Sequence, residues 1–66
     1  MQIKVNGEIR TVNEGTSLFD LIADLGLESK VMAAAVNMEI VKQDGWKEAV
    51  LKEGDAVELL DFVGGG

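Results

Sequence analysis

Leu18, Leu21, Ile22 and Leu25 stand at i, i+3, i+4 and i+7, the spacing of one face of an α-helix. The apolar residues before and after them alternate instead, as they do in strands. A single apolar stripe must be buried, and strand-forming neighbours can bury it only under a sheet. The local chemistry agrees on the ends of the helix. Ser17 is placed to cap it, with Asp20 three residues on in a capping-box position where Glu is usual. Asp20, Ala23 and Asp24 fall off the stripe. Gly26 suits the first position past the end, with Leu27 beyond it able to fold back on the helix.

The strands follow from the same logic. Met1, Ile3 and Val5 alternate with Gln2 and Lys4, a half-buried strand, and Asn6-Gly7 is a two-residue hairpin signal. Glu8 to Val12 returns as its partner. Ile9 and Val12 do not share parity, so a bulge or an exposed Ile9 is expected there. Asn13-Glu14-Gly15 turns the chain into the helix. Met32 to Val36 is a strand with Ala34 and Val36 facing in, Asn37-Met38-Glu39 a turn, and Ile40-Val41 a short strand. Gln43 to Lys52 connects, with one helical turn expected along it. Leu51 is expected to plug the core, and Trp46 to cap it in preference to contacting a partner. After a tight turn at Glu53-Gly54-Asp55, the last strand runs from Ala56 to Val63. Alternation puts Val57 and Leu59 on the core face, with Glu58, Leu60 and Phe62 on the other. Asp61 has core parity, so the strand is expected to leave the core there. The order is β-β-α-β-β-β, one helix on a single mixed sheet of four or five strands.

A chain of 66 residues is one small domain, and without Cys it has neither disulfide nor thiolate metal site to staple it. His and Tyr are also absent, which removes most of the usual nucleophiles, bases and metal ligands. Six basic against twelve acidic residues give a net charge of −6, which disfavours nucleic acid and anionic membranes as partners. Met1 leads straight into a strand pattern with no signal-peptide core or long apolar span, so a cytoplasmic protein is expected.

The chemical handle is the end of the chain, Gly64-Gly65-Gly66, beyond a body spanning residues 1–63. Three residues extended reach roughly 10 Å at about 3.3–3.6 Å each, thin enough to thread a narrow channel. The Gly66 carboxylate is an anion at neutral pH and a poor electrophile until a partner activates it, for example as an acyl-adenylate. A glycine run can equally be an inert frayed end.

The hairpin from Met1, the Leu-rich helix ending at Gly26, the run Ala35-Val36-Asn37-Met38-Glu39-Ile40-Val41, Trp46, Glu53-Gly54-Asp55 and the final Gly65-Gly66 together resemble the ThiS family. These are ubiquitin-like β-grasp sulfur carriers of thiamine biosynthesis. The resemblance covers the whole chain, and its length fits ThiS better than MoaD, the carrier of molybdopterin synthesis. Members often have Asn-Gly-Glu at Asn37-Met38-Glu39 and a Pro near Lys42. Met does not readily hold a positive φ, so a different turn type is expected there.

The resemblance implies an α+β, β-grasp fold and a carrier that is no enzyme and binds no cofactor or metal itself. A ThiF-like adenylyltransferase would use ATP to adenylate Gly66. Sulfur from a cysteine-desulfurase relay would replace AMP, and the thiocarboxylate would serve ThiG, the thiazole synthase. Gly64 and Gly65 would thread the partner's channel. Leu60 and Phe62, flanked by Glu58 and Asp61, are the candidate docking residues. The free chain is expected to be a monomer. A MoaD-like carrier, a ubiquitin-like modifier forming isopeptide bonds through Gly66, and a passive scaffold are the alternatives.

Overall fold

The computed structural model describes the backbone of residues 1–61 and the side chains of residues 1–60. Strand β1 (Gln2–Val5) and β2 (Glu8–Thr11) form the first hairpin, helix α1 (Leu18–Asp24) follows, then β3 (Val31–Val36), β4 (Glu39–Val41) and β5 (Ala56–Asp61). The five strands make one sheet in the order β2-β1-β5-β3-β4. β5 lies in the middle, parallel to β1 and antiparallel to β3. This is the mixed sheet with one helix expected from the sequence, at its five-stranded limit.

The helix packs as its stripe requires. Leu18, Leu21 and Ile22 are buried, and Leu25 packs at the core's margin. Fully burying a side chain of this size contributes roughly 1.5–3 kcal/mol. A seven-residue helix is otherwise too short to persist, so its ends must be well satisfied. The Ser17 hydroxyl accepts from the Asp20 backbone N–H at 3.0 Å, and the Asp20 carboxylate accepts from the Ser17 N–H at 3.2 Å. The Leu18 and Phe19 N–H groups donate to the carbonyls of Ala49 and Trp46, at 2.8 and 3.1 Å. The first-turn donors that a helix leaves unpaired are thereby all taken up. At the other end Gly26 has φ 72°, its N–H bonds to the Ala23 carbonyl, and that of Leu27 to Ile22. This is a Schellman motif.

Several local expectations are corrected. β3 begins at Val31, one residue before Met32, and its pairing with β5 shifts register between Val31 and Ala33. Val31 and Ala34 are both buried, and an odd spacing can put two residues on one face only through an extra residue, a β-bulge. β2 pairs with β1 without such a shift, and Ile9 is exposed, opposite Lys4. The helical turn expected in the connection is present, as a 3₁₀ turn over Gln43–Gly45. It lifts Trp46 into the core, where its indole N–H donates to the Val41 carbonyl at 2.9 Å. Leu51 is buried as expected.

The β3–β4 turn does not change type to spare Met38. Asn37 and Met38 take φ of 51° and 69°, the left-handed pair that a two-residue hairpin needs. For a residue with a Cβ that conformation costs about 1–2 kcal/mol. Met38 is 92% exposed and so loses little packing on truncation. Met38→Gly is therefore expected to stabilise the fold by about 0.5–1 kcal/mol, net of glycine's greater chain entropy. Thermal unfolding should show Tm raised by roughly 3–6 °C; a lower Tm would mean that the Met38 side chain holds the turn.

Candidate functional site

β5 is the element that leads to the chain's end, and four neighbours fix where it runs. β1 pairs with it through Lys4↔Ala56 and Val5↔Val57. β3 covers its other edge from Val36↔Val57 to Val31↔Asp61. Two turn asparagines complete the frame. Asn37 gives its backbone N–H to the Ala56 carbonyl at 2.7 Å, and its side-chain oxygen accepts from the Ala56 N–H at 3.0 Å. Asn6 bonds to Leu59 through both side-chain amide atoms.

Along β5, Val57 and Leu59 are buried while Glu58 and Leu60 face away from the helix, as alternation predicts. Leu60 is 61% exposed, so no loop among the described residues covers it. Beside it the pairings Ala33↔Leu60, Ala35↔Glu58 and Ala35↔Ile40 put Ala33, Ala35 and Ile40 on the same outer face. The two alanines leave a shallow, open groove of about 510 Å³ between Leu60 and Ile40, with Asn6 and Glu58 also in its lining. Ile40 is 68% exposed. An apolar floor with one carboxylate beside it suits a partner that offers an apolar contact flanked by a basic group.

The structure thus brings Glu58 and Leu60 together on one face. It places the backbone of Asp61 at the end of β5, opposite Val31, its side chain being outside the described set. Phe62, Gly64, Gly65 and Gly66 lie outside the described residues, and so does the boundary between body and tail. Sequence reasoning missed Ile40, Ala33 and Ala35 as members of this face. Counting back through the hairpin from Asn37-Met38 would have set Ala35 opposite Ile40. The bulge that orients Ala33 had no such signal.

A family model described as the ThiS family matches residues 3–66. The chain belongs to the ThiS family. Among individual ThiS relatives, the sulfur carrier protein ThiS of Bacillus subtilis is 31% identical over 65 residues, covering 97% of this chain and 98% of that one. ThiS of Escherichia coli is 27% identical over 66 residues, with all of both chains covered. The crystal structure of the thiamine biosynthesis protein ThiS from Geobacter metallireducens superposes with a TM-score of 0.82 at 33% identity, covering all of both chains. That match establishes the ThiS fold and with it the β-grasp expected from the sequence. The whole chain is also 32% identical to part of a thiazole synthase of Paramagnetospirillum magneticum, of which it spans 20%. Among the described residues no helix is long and apolar enough to cross a membrane.

Proposed function

We propose that this ThiS-family chain carries sulfur for the thiazole moiety of thiamine, as a cytoplasmic co-substrate of partner enzymes and not as a catalyst. What supports this most is the reach of the family match, which continues through the tail to Gly66. The thiazole synthase relatives add to it. A chain whose whole length has a counterpart inside a thiazole synthase is suited to work with one.

The chemistry proposed for Gly66 proceeds in two displacements and a reduction. On a ThiF-like partner, a carboxylate oxygen attacks the α-phosphorus of ATP and pyrophosphate leaves, giving an acyl-adenylate. A persulfide from a cysteine-desulfurase relay then displaces AMP to give an acyl disulfide, and a second thiol reduces its S–S bond, leaving the thiocarboxylate and a disulfide. Gly64 and Gly65 supply the narrow approach. The body docks through Leu60 and Ile40, with Glu58 as a rim charge that steers encounter more than it adds affinity. Phe62 and Asp61, next along the chain, extend that contact.

The test is a reconstitution with ThiG. Thiocarboxylated chain carrying isotopically labelled sulfur is expected to transfer the label to the thiazole. If the label instead passes only to a molybdopterin synthase large subunit, the thiamine assignment is wrong. At the docking face, Leu60→Asp is expected to leave stability within about 0.5 kcal/mol. It should weaken binding to the activating enzyme at least about tenfold, since a buried unpaired carboxylate is costly at an interface. Unchanged affinity in a titration would move the docking surface elsewhere.

A further inference from the structure

Asn6 stands where β1 ends. Its φ of 49° turns the backbone out of the sheet into the hairpin, but its side chain stays behind. The Asn6 backbone N–H donates to the Val57 carbonyl at 2.9 Å. One step further along β5, its Oδ1 accepts from the Leu59 N–H at 2.9 Å and its Nδ2 donates to the Leu59 carbonyl at 3.3 Å. A primary amide offers the same donor and acceptor as a peptide group. Asn6 therefore extends the parallel ladder by one residue after β1 itself has left. Among the described residues this is the last bond that β5 receives on its β1 side. Leu60 and Asp61 continue with β3 as their only strand neighbour.

Asn37 is its counterpart at the start of β5. It too is a turn residue with positive φ, and it too clamps β5 through backbone and side chain, but at Ala56. The two asparagines share a chemistry and differ in which end of the strand they hold.

We propose that Asn6 is a positioning residue for sulfur loading: its amide fixes the β1-side edge of β5 at Leu59, and so the direction in which the strand presents Leu60 on the outer face. This rests on the carrier function proposed above. A partner that grips the outer face at Leu60 and reacts at Gly66 must span a set length of chain. With the Asn6 bond lost, β5 beyond Val57 is held by β3 alone, so the angle at which the strand presents Leu60 to that partner is less well set. Positioning of the reacting group suffers accordingly, and a misplacement of about 1 Å costs up to about a hundredfold in rate.

Asn6→Gly tests this, because glycine keeps the left-handed turn and removes only the amide. Asn37→Gly is the matched control at the other end. Both are assayed for kcat/KM of adenylation by the cognate activating enzyme, at a temperature where each is fully folded, with amide hydrogen exchange read at Leu59. Asn6→Gly is expected to lower kcat/KM about tenfold, within the range that misplacement costs, and to speed exchange at Leu59. Asn37→Gly should stay within about twofold of the parent, since it leaves the Leu59 clamp in place. Asn6→Asp, which keeps the acceptor for the Leu59 N–H, should recover part of the loss. Equal losses in the two glycine variants, or fast exchange at Leu59 with undiminished kcat/KM, would overturn the positioning role alone. A parent chain that is not adenylated would overturn the carrier function and this role with it.

Discussion

Gly65→Val is expected to reduce thiocarboxylate formation about a hundredfold or more while leaving Tm unchanged. The loss follows from width. Three consecutive glycines have no Cβ, so the chain end is as narrow as a polypeptide can be. A channel fitted to it has no room for a branched side chain, and the carboxylate of Gly66 would stop short of the reaction centre, where small misplacements cost about a hundredfold. Gly66→Ala should be milder, because the added methyl hinders attack on the carbonyl without blocking the approach. The fold should be untouched, since among the described residues the core cluster lies between Ile3 and Leu59. Circular dichroism melting alongside a thiocarboxylate assay separates the two effects. Full activity in Gly65→Val would remove the threading role, and a lowered Tm would place Gly65 in the folded body.

Trp46→Ala is expected to unfold most of the protein at 37 °C. The indole is 2% exposed, packed in the core with Leu18, Ile22 and Leu51 as fellow members. Truncating a buried Trp costs about 3–5 kcal/mol. The Val41 carbonyl, which accepts the indole N–H at 2.9 Å, loses that bond as well. A chain of this length has roughly 3–10 kcal/mol of stability in total, at about 0.05–0.15 kcal/mol per residue. The damage also spreads to the helix, because the Trp46 carbonyl takes the Phe19 N–H. Trp46→Phe keeps most of the apolar volume and should cost only about 1–2 kcal/mol, chiefly the hydrogen bond. Chemical denaturation would show both. Trp46→Ala with a midpoint near the parent's would mean that the pocket closes over the missing ring.

Where short-range rules decide the conformation, the residues announce it. Asn6-Gly7 marks the first hairpin, Ser17 and Gly26 bracket the helix, and the alternation of Val57 to Leu60 gives the two faces of β5. Where the conformation depends on distant partners, it does not show. The bulge between Val31 and Ala33 exists because Val31 and Ala34 must both reach the core under α1. Nothing near Met32 says so. Met38 holds a positive φ against its own preference, in a turn whose Asn37 is tied to Asp55 and Ala56, some eighteen residues away. A helical turn is legible in the connection, but its place just before Trp46 follows from the reach of the indole to the Val41 carbonyl.

The candidate site divides in the same way. Leu60 and Glu58 could be assigned to the outer face from parity alone, and the tail glycines stood out by composition. Ile40, Ala33 and Ala35 join that face only through strand order, which places β3 and β4 beside β5. The Asn6 clamp is equally non-local, linking residues 53 positions apart. Its amide looked like turn chemistry, and its second role appears only when β5 is laid alongside.

If Gly66 carries sulfur, intact-protein mass spectrometry will show it. The chain is incubated with its cognate ThiF-like enzyme, ATP and a sulfur source, then fragmented from the C-terminus. The predicted result is one oxygen replaced by sulfur, located on Gly66 and absent when ATP is withheld. An unchanged mass, with an activating enzyme proven competent on another carrier, would contradict the assignment of Gly66 as the sulfur acceptor.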